Sequence, residues 1–400
     1  MLIRPLDTGW PRQPVGRSAA VLHITQPVTE GVGNFVALLV AGQIELNRRV
    51  GLACDPRSEL AEHAVAAGAT VLPWPARREP GAGLITELSG LRRAVARFGP
   101  DIVHLHSSKA GLVGRLALRG RLPTVFQPNA WSFEALTGRR RLAAVRWEAR
   151  AARWTDDLFL VSQHEYDAAR SGGIEPLGGS VVLGNPVDVS RFRPATPDER
   201  RRKRHELGVA DNQPLVGCIG RLCRQKGQDV LLDHWPEVSA AVPEAILVLV
   251  GDGPDRDRLQ AKAGPGVRLL GNRADVAELL RALDVVVLAS RWEGMALTML
   301  EAMATGLPVV TTAVGGAAET VGRGAGTVVP IGDGKALARA VVARLLDREL
   351  GQREGDRGRE LAVAGHSSTA IIAAVEAAYQ VTLARRAGVA ARPTAPGPAR

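Results

Sequence analysis

Val285-Val-Val-Leu-Ala-Ser290 runs directly into Arg291-Trp-Glu293-Gly-Met-Ala-Leu-Thr-Met-Leu-Glu301-Ala-Met-Ala304. A short, uninterrupted apolar run of this kind is the pattern of a strand buried on both faces, as in a parallel sheet covered by helices. After Gly294 the pattern becomes helical, so Glu293 falls in the strand-to-helix loop and Glu301 inside the helix, beside Leu297, Met299 and Leu300. Parallel sheets bind ligands beyond the C-terminal ends of their strands. A loop carboxylate there can accept hydrogen bonds from sugar hydroxyls, and the helix carboxylate can take a ribose diol. A helix glutamate is ordinarily a solvated charge, but one embedded in LTMLEAMA needs a partner.

Working outward, the same alternation fills the chain. In the second half PLVGCIG, AILVLVG, VRLLG, PVVTTA and GTVVP read as further strands; in the first half AAVLHIT, VGLAC, TVLPW, DIVHLHS, PTVFQP, DLFLVS and SVVLGN do, with helical patterns such as 84–98 between them. Strands alternating with helices imply βαβ units and parallel sheets. The fold class expected is α/β, with two Rossmann-like domains. The charged stretch RFRPATPDERRRKRHELGV reads as a connector, so the domains are expected at 18–190 and 191–370. A helix at 371–386 is expected to cross back to the first domain, and 1–17 and 387–400 are expected to be disordered.

Four hundred residues suit two domains. The three cysteines form no CxxC pair, so neither a disulfide framework nor a cysteine metal site is expected. The opening MLIRPLDTGWPRQP has no apolar leader pattern and no run is long enough to span a bilayer, so the reading is cytoplasmic. Charge is uneven. Residues 1–154 hold 21 Lys+Arg against 11 Asp+Glu, a difference of +10, which is the whole net charge of the chain. An anionic partner for the first half follows.

Three glycine turns join the first segment on one sheet edge. Gly220-Arg221-Leu222 with Gln225-Lys226-Gly227 follows PLVGCIG; Gly251-Asp252-Gly253-Pro254 follows AILVLVG; Gly315-Gly316-Ala-Ala-Glu319 follows PVVTTA. A helix N-terminus suits phosphate, and Arg221 and Lys226 add two full charges that would stabilise a departing diphosphate.

This ordered set, GRL…QKG, GDGP, E-x7-E and GGxxE, resembles the retaining glycosyltransferases of family 4, which have the GT-B fold, over about residues 18 to 385. The segment from His104 to Gly111 resembles that of members acting in surface-polysaccharide assembly. The resemblance implies two Rossmann-like domains facing across a cleft. It implies a hexosyl- or N-acetylhexosaminyl-transferase that moves a sugar from a nucleoside-diphosphate sugar to a hydroxyl of a glycan or lipid-linked acceptor. Arg221 and Lys226 would contact the donor pyrophosphate. Glu301 would bind the ribose. Glu293 and the backbone of Gly294, Met295, Ala296 and Leu297 would hold the transferred sugar, with Gly220 in the phosphate turn and Asn272 and Arg273 near the base. Gly31 and Gly33 open a helix after AAVLHIT and would face the donor phosphates. As a dinucleotide fingerprint they fail, because the third glycine position is Val36.

His104 reads as a core histidine, whereas His106, Ser107 and Lys109 are expected nearer the acceptor or the sugar. Asn129 stands where the family often has histidine; it can hydrogen-bond a hydroxyl but cannot act as acid or base. At 100° per residue Leu142, Val145, Ala149 and Ala152 share one helix face and Arg139, Arg146, Arg150 and Arg153 an adjoining stripe flanked by Trp147 and Trp154. That stripe suits an anionic membrane surface on the inner face of the plasma membrane, unless the helix only covers the sheet. Asp255-Arg-Asp257 looks like a DxD metal motif, but acidic residues in a first helical turn favour the dipole, so no essential metal and no cofactor are expected. Two alternatives stand beside this reading: a sugar-nucleotide 2-epimerase of the same fold, and a non-catalytic sugar-nucleotide or nucleic-acid binder. Basic charge without a recognition module argues against nucleic acid.

Overall fold

Consecutive Val, Ile and Leu residues favour extended backbone that can be covered on both faces, and each of the thirteen apolar runs forms a strand. The protein is described here by a computed structural model, over residues 19–77 and 83–388. The expected disorder at 1–17 lies outside the described residues, as does 389–400 of the expected tail.

The chain divides into two compact units. The first runs to Leu160 and adds Ala168–Leu183 and the chain from Ile372; the second is Val161–Asp167 with Gly184–Ile371. This differs from a single boundary at 190: the segment 161–167 is counted with the second unit although it lies between strands of the first.

The first unit holds β1 (Val21–Thr25), β2 (Val50–Cys54), β3 (Thr70–Pro73), β4 (Ile102–His106), β5 (Thr124–Gln127), β6 (Asp157–Leu160) and β7 (Gly179–Val182), in the order β3-β2-β1-β4-β5-β6-β7, all parallel. The second holds β8 (Leu215–Ile219), β9 (Ile246–Val250), β10 (Val267–Gly271), β11 (Val285–Leu288), β12 (Val309–Thr312) and β13 (Gly326–Val329), in the order β10-β9-β8-β11-β12-β13, again parallel. Each order reverses direction once, between β1 and β4 and between β8 and β11. Ligand crevices open at such switch points.

The period of two along a strand sorts the second core. Val286 and Leu288 join Met299, Leu300 and Met303 on one face, while Val285 and Val287 join Trp235, Leu337 and Val341 on the other. Each such buried side chain contributes roughly 1.5–3 kcal/mol. The charged connector is not featureless. Thr196 and Glu199 form a capping box that starts the helix Pro197–Glu206, whose Arg204 is buried and donates to the carbonyl of Ala282 at 2.7 Å. The last helix is Ser368–Arg386. Its Tyr379 packs against His104, its Glu376 pairs with Arg48, and its Thr382 donates to Asp157 at 2.7 Å, all within the first unit.

Candidate active site

The loops that leave β8 and β11 meet at the switch point of the second unit. A short 3-10 turn, Arg224–Lys226, ends at Gly227 and presents Lys226, whose ammonium lies 2.6 Å from Glu293 Oε1. Ser290 Oγ donates to the same oxygen at 2.9 Å. Gln225 Nε2 donates to the Trp292 carbonyl at 3.1 Å and to Glu293 Oε2 at 3.4 Å. The Glu293 side chain is only 10% exposed, and that of Lys226 23%. A cation and a carboxylate are thus held together at the rim of a sheet, partly open to solvent, where a charge on a ligand would be weakly screened.

Neighbouring loops are stitched to this pair through their backbones. Gly220 N donates to Val250 O at 2.9 Å, Leu222 N to Asp252 O at 2.9 Å, Gly251 N to Gly271 O at 2.8 Å, and Gly316 N to Gly294 O at 2.8 Å. Two of the glycines are required by close approach. A Cβ at Gly251 would overlap the Gly220 carbonyl, and one at Gly315 the Gly294 carbonyl; both residues also have positive φ.

The helix Leu297–Thr305 starts at this rim with no side-chain cap, and Met299 N turns back to the Ala296 carbonyl at 3.2 Å; the N–H groups of Leu297 and Thr298 before it precede the first intrahelical bond. The carbonyl of Met295 is engaged by Asn185 Nδ2 at 2.8 Å. Inside that helix Glu301 is half-buried, and burial pushes its carboxyl up to about 7, against the lowering pull of Arg191 and Lys226. Glu319 accepts from Gln163 N at 2.9 Å to each oxygen, and burial raises its carboxyl above the ordinary range.

The structure therefore brings Gly220, Lys226, Glu293, Gly294, Met295, Ala296 and Leu297 to one switch point, with Arg221 on the same loop and Glu301 on the adjoining helix. Asn272 and Arg273 follow β10 on that edge, but the Arg273 guanidinium is engaged by Asp275 at 2.8 and 2.7 Å and by Glu206 at 3.2 Å. Hydrogen bonds to Asp275 raise the Arg273 pKa. Two supporting residues escaped the sequence reading, Ser290 and Arg291, and Gln225 was read only as part of its motif, with no role of its own. Ser290 and Glu293 are three apart across a loop, a spacing that carries no periodic signal.

The acceptor-side expectations in the first unit need correction. His106 is fully buried, not open to a ligand. His104 and His106 point to one side of β4 by the strand period, and His23 faces them in register from β1. Glu376 fixes the Gln43 amide at 2.8 Å, Gln43 Oε1 then accepts from His23 Nε2 at 2.7 Å, and His106 Nε2 donates to His23 Nδ1 at 2.9 Å. Burial lowers all three ring pKa values, His23 to about 4 with Gln43 opposing. Burial thus favours the neutral rings, and among the described residues the hydrogen bonds to them come from Gln43, Tyr379 and one another, not from a carboxylate. Lys109 is likewise buried, its ammonium 2.7 Å from Glu87. Gly31 and Gly33 lie in the first turn of the helix Glu30–Glu45, and an added Cβ at Gly33 would overlap the Val28 carbonyl. Asn129, half-buried after β5, has φ 54, and Ala130 beside it has φ 108. An alanine held there stores about 1–3 kcal/mol of strain.

The basic helix is Gly138–Ala152. Arg139, Arg146, Arg150 and Arg153 are exposed, but Leu142 is exposed with them at 50% and does not share the buried face. That face is set instead by Glu148, Ala151 and Ala152, because Glu148 must reach the buried Arg115 guanidinium, 2.7 Å away.

Two parallel sheets, each doubly wound with one switch point, are the architecture of the GT-B fold. The family model described as "Glycosyl transferase 4-like domain" matches residues 30–185, and that described as "Glycosyl transferases group 1" matches 213–347. A GDP-mannose-dependent alpha-(1-6)-phosphatidylinositol monomannoside mannosyltransferase of Mycobacterium tuberculosis is 37% identical over 291 residues, 68% of this chain and 73% of that protein. The GDP-mannose-dependent monoacylated counterpart from Corynebacterium glutamicum is 36% identical over 205 residues, 48% of this chain; the chain spans only 53% of its length. The crystal structure of Anabaena HepE with UDP and glucose superposes with a TM-score of 0.78 at 22% identity, covering 90% of this chain and 99% of that one. The chain belongs to the group 1, family 4-like glycosyltransferases.

Proposed function

We propose that this chain transfers a hexose or N-acetylhexosamine from a nucleoside-diphosphate sugar to a hydroxyl of a lipid-linked glycan, with retention and without a metal, in polysaccharide or glycolipid synthesis. The carrying observation is the Lys226–Glu293 pair at the switch point, with Glu301 on the adjoining helix. The donor pyrophosphate takes Lys226 and Arg221, the ribose takes Glu301, and the sugar takes Glu293 and the N–H groups at the start of the helix Leu297–Thr305. The bond from the sugar's anomeric carbon to phosphate breaks, the acceptor oxygen bonds to that carbon from the same face, and the departing phosphate takes the acceptor proton. Preorganised cations at the leaving group do the work a metal does elsewhere. Asp255 of the DxD-like pair is already held by Arg258 at 2.9 Å.

The test is titration calorimetry with UDP-glucose, UDP-galactose, UDP-N-acetylglucosamine and GDP-mannose. Micromolar binding of one, lost in Lys226→Ala, supports the reading; no binding of any overturns it. Turnover should survive excess EDTA, and loss restored by Mn²⁺ or Mg²⁺ would return Asp255 and Asp257 to the site. No helix among the described residues is long and apolar enough to cross a membrane. The exposed Arg139, Arg146, Arg150 and Arg153 support peripheral attachment to anionic lipid, each contributing about 1 kcal/mol. Vesicles with phosphatidylglycerol should retain the protein at low salt and release it when the four become Gln.

A further inference from the structure

We propose that Arg291 is a positioning residue that sets the distance between the two halves of the site, and this rests on the reading of that site given above. Lys226 and Glu293 come from different loops on different strands, so their separation is a property of how the loops are joined. Their own ion pair cannot hold that separation during the reaction, because a donor pyrophosphate competes for Lys226.

Arg291 ties the loops by four other bonds. Its backbone N–H donates to Gln225 O at 2.7 Å. Its Nη1 donates to Arg224 O at 2.8 Å, one residue earlier in the same turn. The guanidinium fork closes on Asp229 with Nη1 to Oδ1 and Nη2 to Oδ2, both 2.9 Å. Asp229 stands in the first turn of the helix Gln228–Ala241, where the helix dipole favours its charge. Hydrogen bonds from Arg291 lower the Asp229 pKa, so the pair stays charged through the neutral range. Arg291 therefore grips the 3-10 turn that presents Lys226 and the helix that follows it, two residues before Glu293 on its own loop. With its fork taken by Asp229, Arg291 acts on the donor only through the residues it places. A lysine cannot reproduce this, because a point charge lacks the planar fork that meets Asp229 and Arg224 O together.

The experiment measures kcat and KM of Arg291→Ala, Arg291→Lys and Asp229→Asn for hydrolysis of whichever sugar nucleotide the wild type uses, with the Kd of the free nucleoside diphosphate and the thermal midpoint. Misplacement of reacting groups by an ångström costs on the order of 10²-fold. The expected result is a fall in kcat of about that size for Arg291→Ala, a smaller fall for Arg291→Lys, and a nucleotide Kd within about threefold of wild type. The Arg291→Ala, Asp229→Asn double variant should be no slower than the worse single one, since both break one clamp. Wild-type kcat in Arg291→Ala overturns the inference. So does a loss in which nucleotide affinity and thermal midpoint fall in step with kcat, the signature of a merely structural role. If the wild type binds and turns over no sugar nucleotide, the functional reading falls first, a result distinct from an active wild type with an equally active Arg291→Ala.

Discussion

The two sheets share one order over six strands, with β7 added at the edge of the first, yet they treat their charged residues in opposite ways. At the switch point of the first unit, His23, His104 and His106 are sealed among aromatic rings and Lys109 is buried against Glu87. At the switch point of the second, the Glu293 side chain is as covered as that of Glu87, but its partner Lys226 stays partly exposed at the rim. A Lys–Glu pair is thus closed off in one unit and, on the proposed reading, meets the donor in the other. Exposure of the cation separates the two. A buried polar group must spend its hydrogen bonds inside the protein, whereas a rim group can exchange its partner for a ligand.

The largest effect should come from breaking the sealed side. Glu148→Ala leaves the Arg115 guanidinium buried without its carboxylate, and removing one partner of such a pair costs about 3–5 kcal/mol. Chemical denaturation should show that loss; an unchanged midpoint would mean that Arg115 finds another partner. Breaking the rim side should do the converse. Lys226→Ala should lower turnover by roughly 10²- to 10³-fold, or about 2.7–4 kcal/mol, with the folded state little changed. A folded variant with near-normal turnover removes Lys226 from the site.

His106→Ala sharpens the contrast, since this residue looked like an acceptor contact. Its loss leaves His23 Nδ1 without a donor, so a cost of about 1–3 kcal/mol in stability is expected, with KM for donor unaltered. A raised KM in a stable variant would put His106 back in the site. The smallest effect concerns Glu301. Its carboxyl is raised to about 7, so the folded protein holds the proton more tightly than the unfolded chain, and charging the group opposes folding as pH rises from the ordinary carboxylate range through 7. On the proposed reading, ribose binding uses the charged form. Nucleotide affinity should therefore rise about tenfold between pH 6 and 8. Calorimetry across that range, with Glu301→Gln as the control that removes the phosphate's own titration, checks it. Superimposable profiles for the two proteins would sink the assignment.

Local pattern determined a great deal by itself. VVVLAS and its twelve counterparts could be read as strands because uninterrupted β-branched runs have few other stable fates, and the glycine turns were legible because each must sit where a strand ends. GRL…QKG and E-x7-E could be placed after strands of the second sheet, on one edge of it, from the pattern alone. What the sequence could not carry was the direction and depth of side chains whose partners are remote in the chain. Leu142 fits an apolar helical stripe, but the helix is turned by Glu148, which answers to Arg115 33 residues away. His106 and Lys109 follow a strand end like any site residue, and only contacts with His23 and Glu87 show them closed in. Arg291 reads as a loop arginine until Asp229 is seen 62 residues earlier in its fork. Periodicity is a property of neighbours, whereas desolvation and ion pairing are set by whatever the fold brings near, and that was decided by the tertiary structure alone.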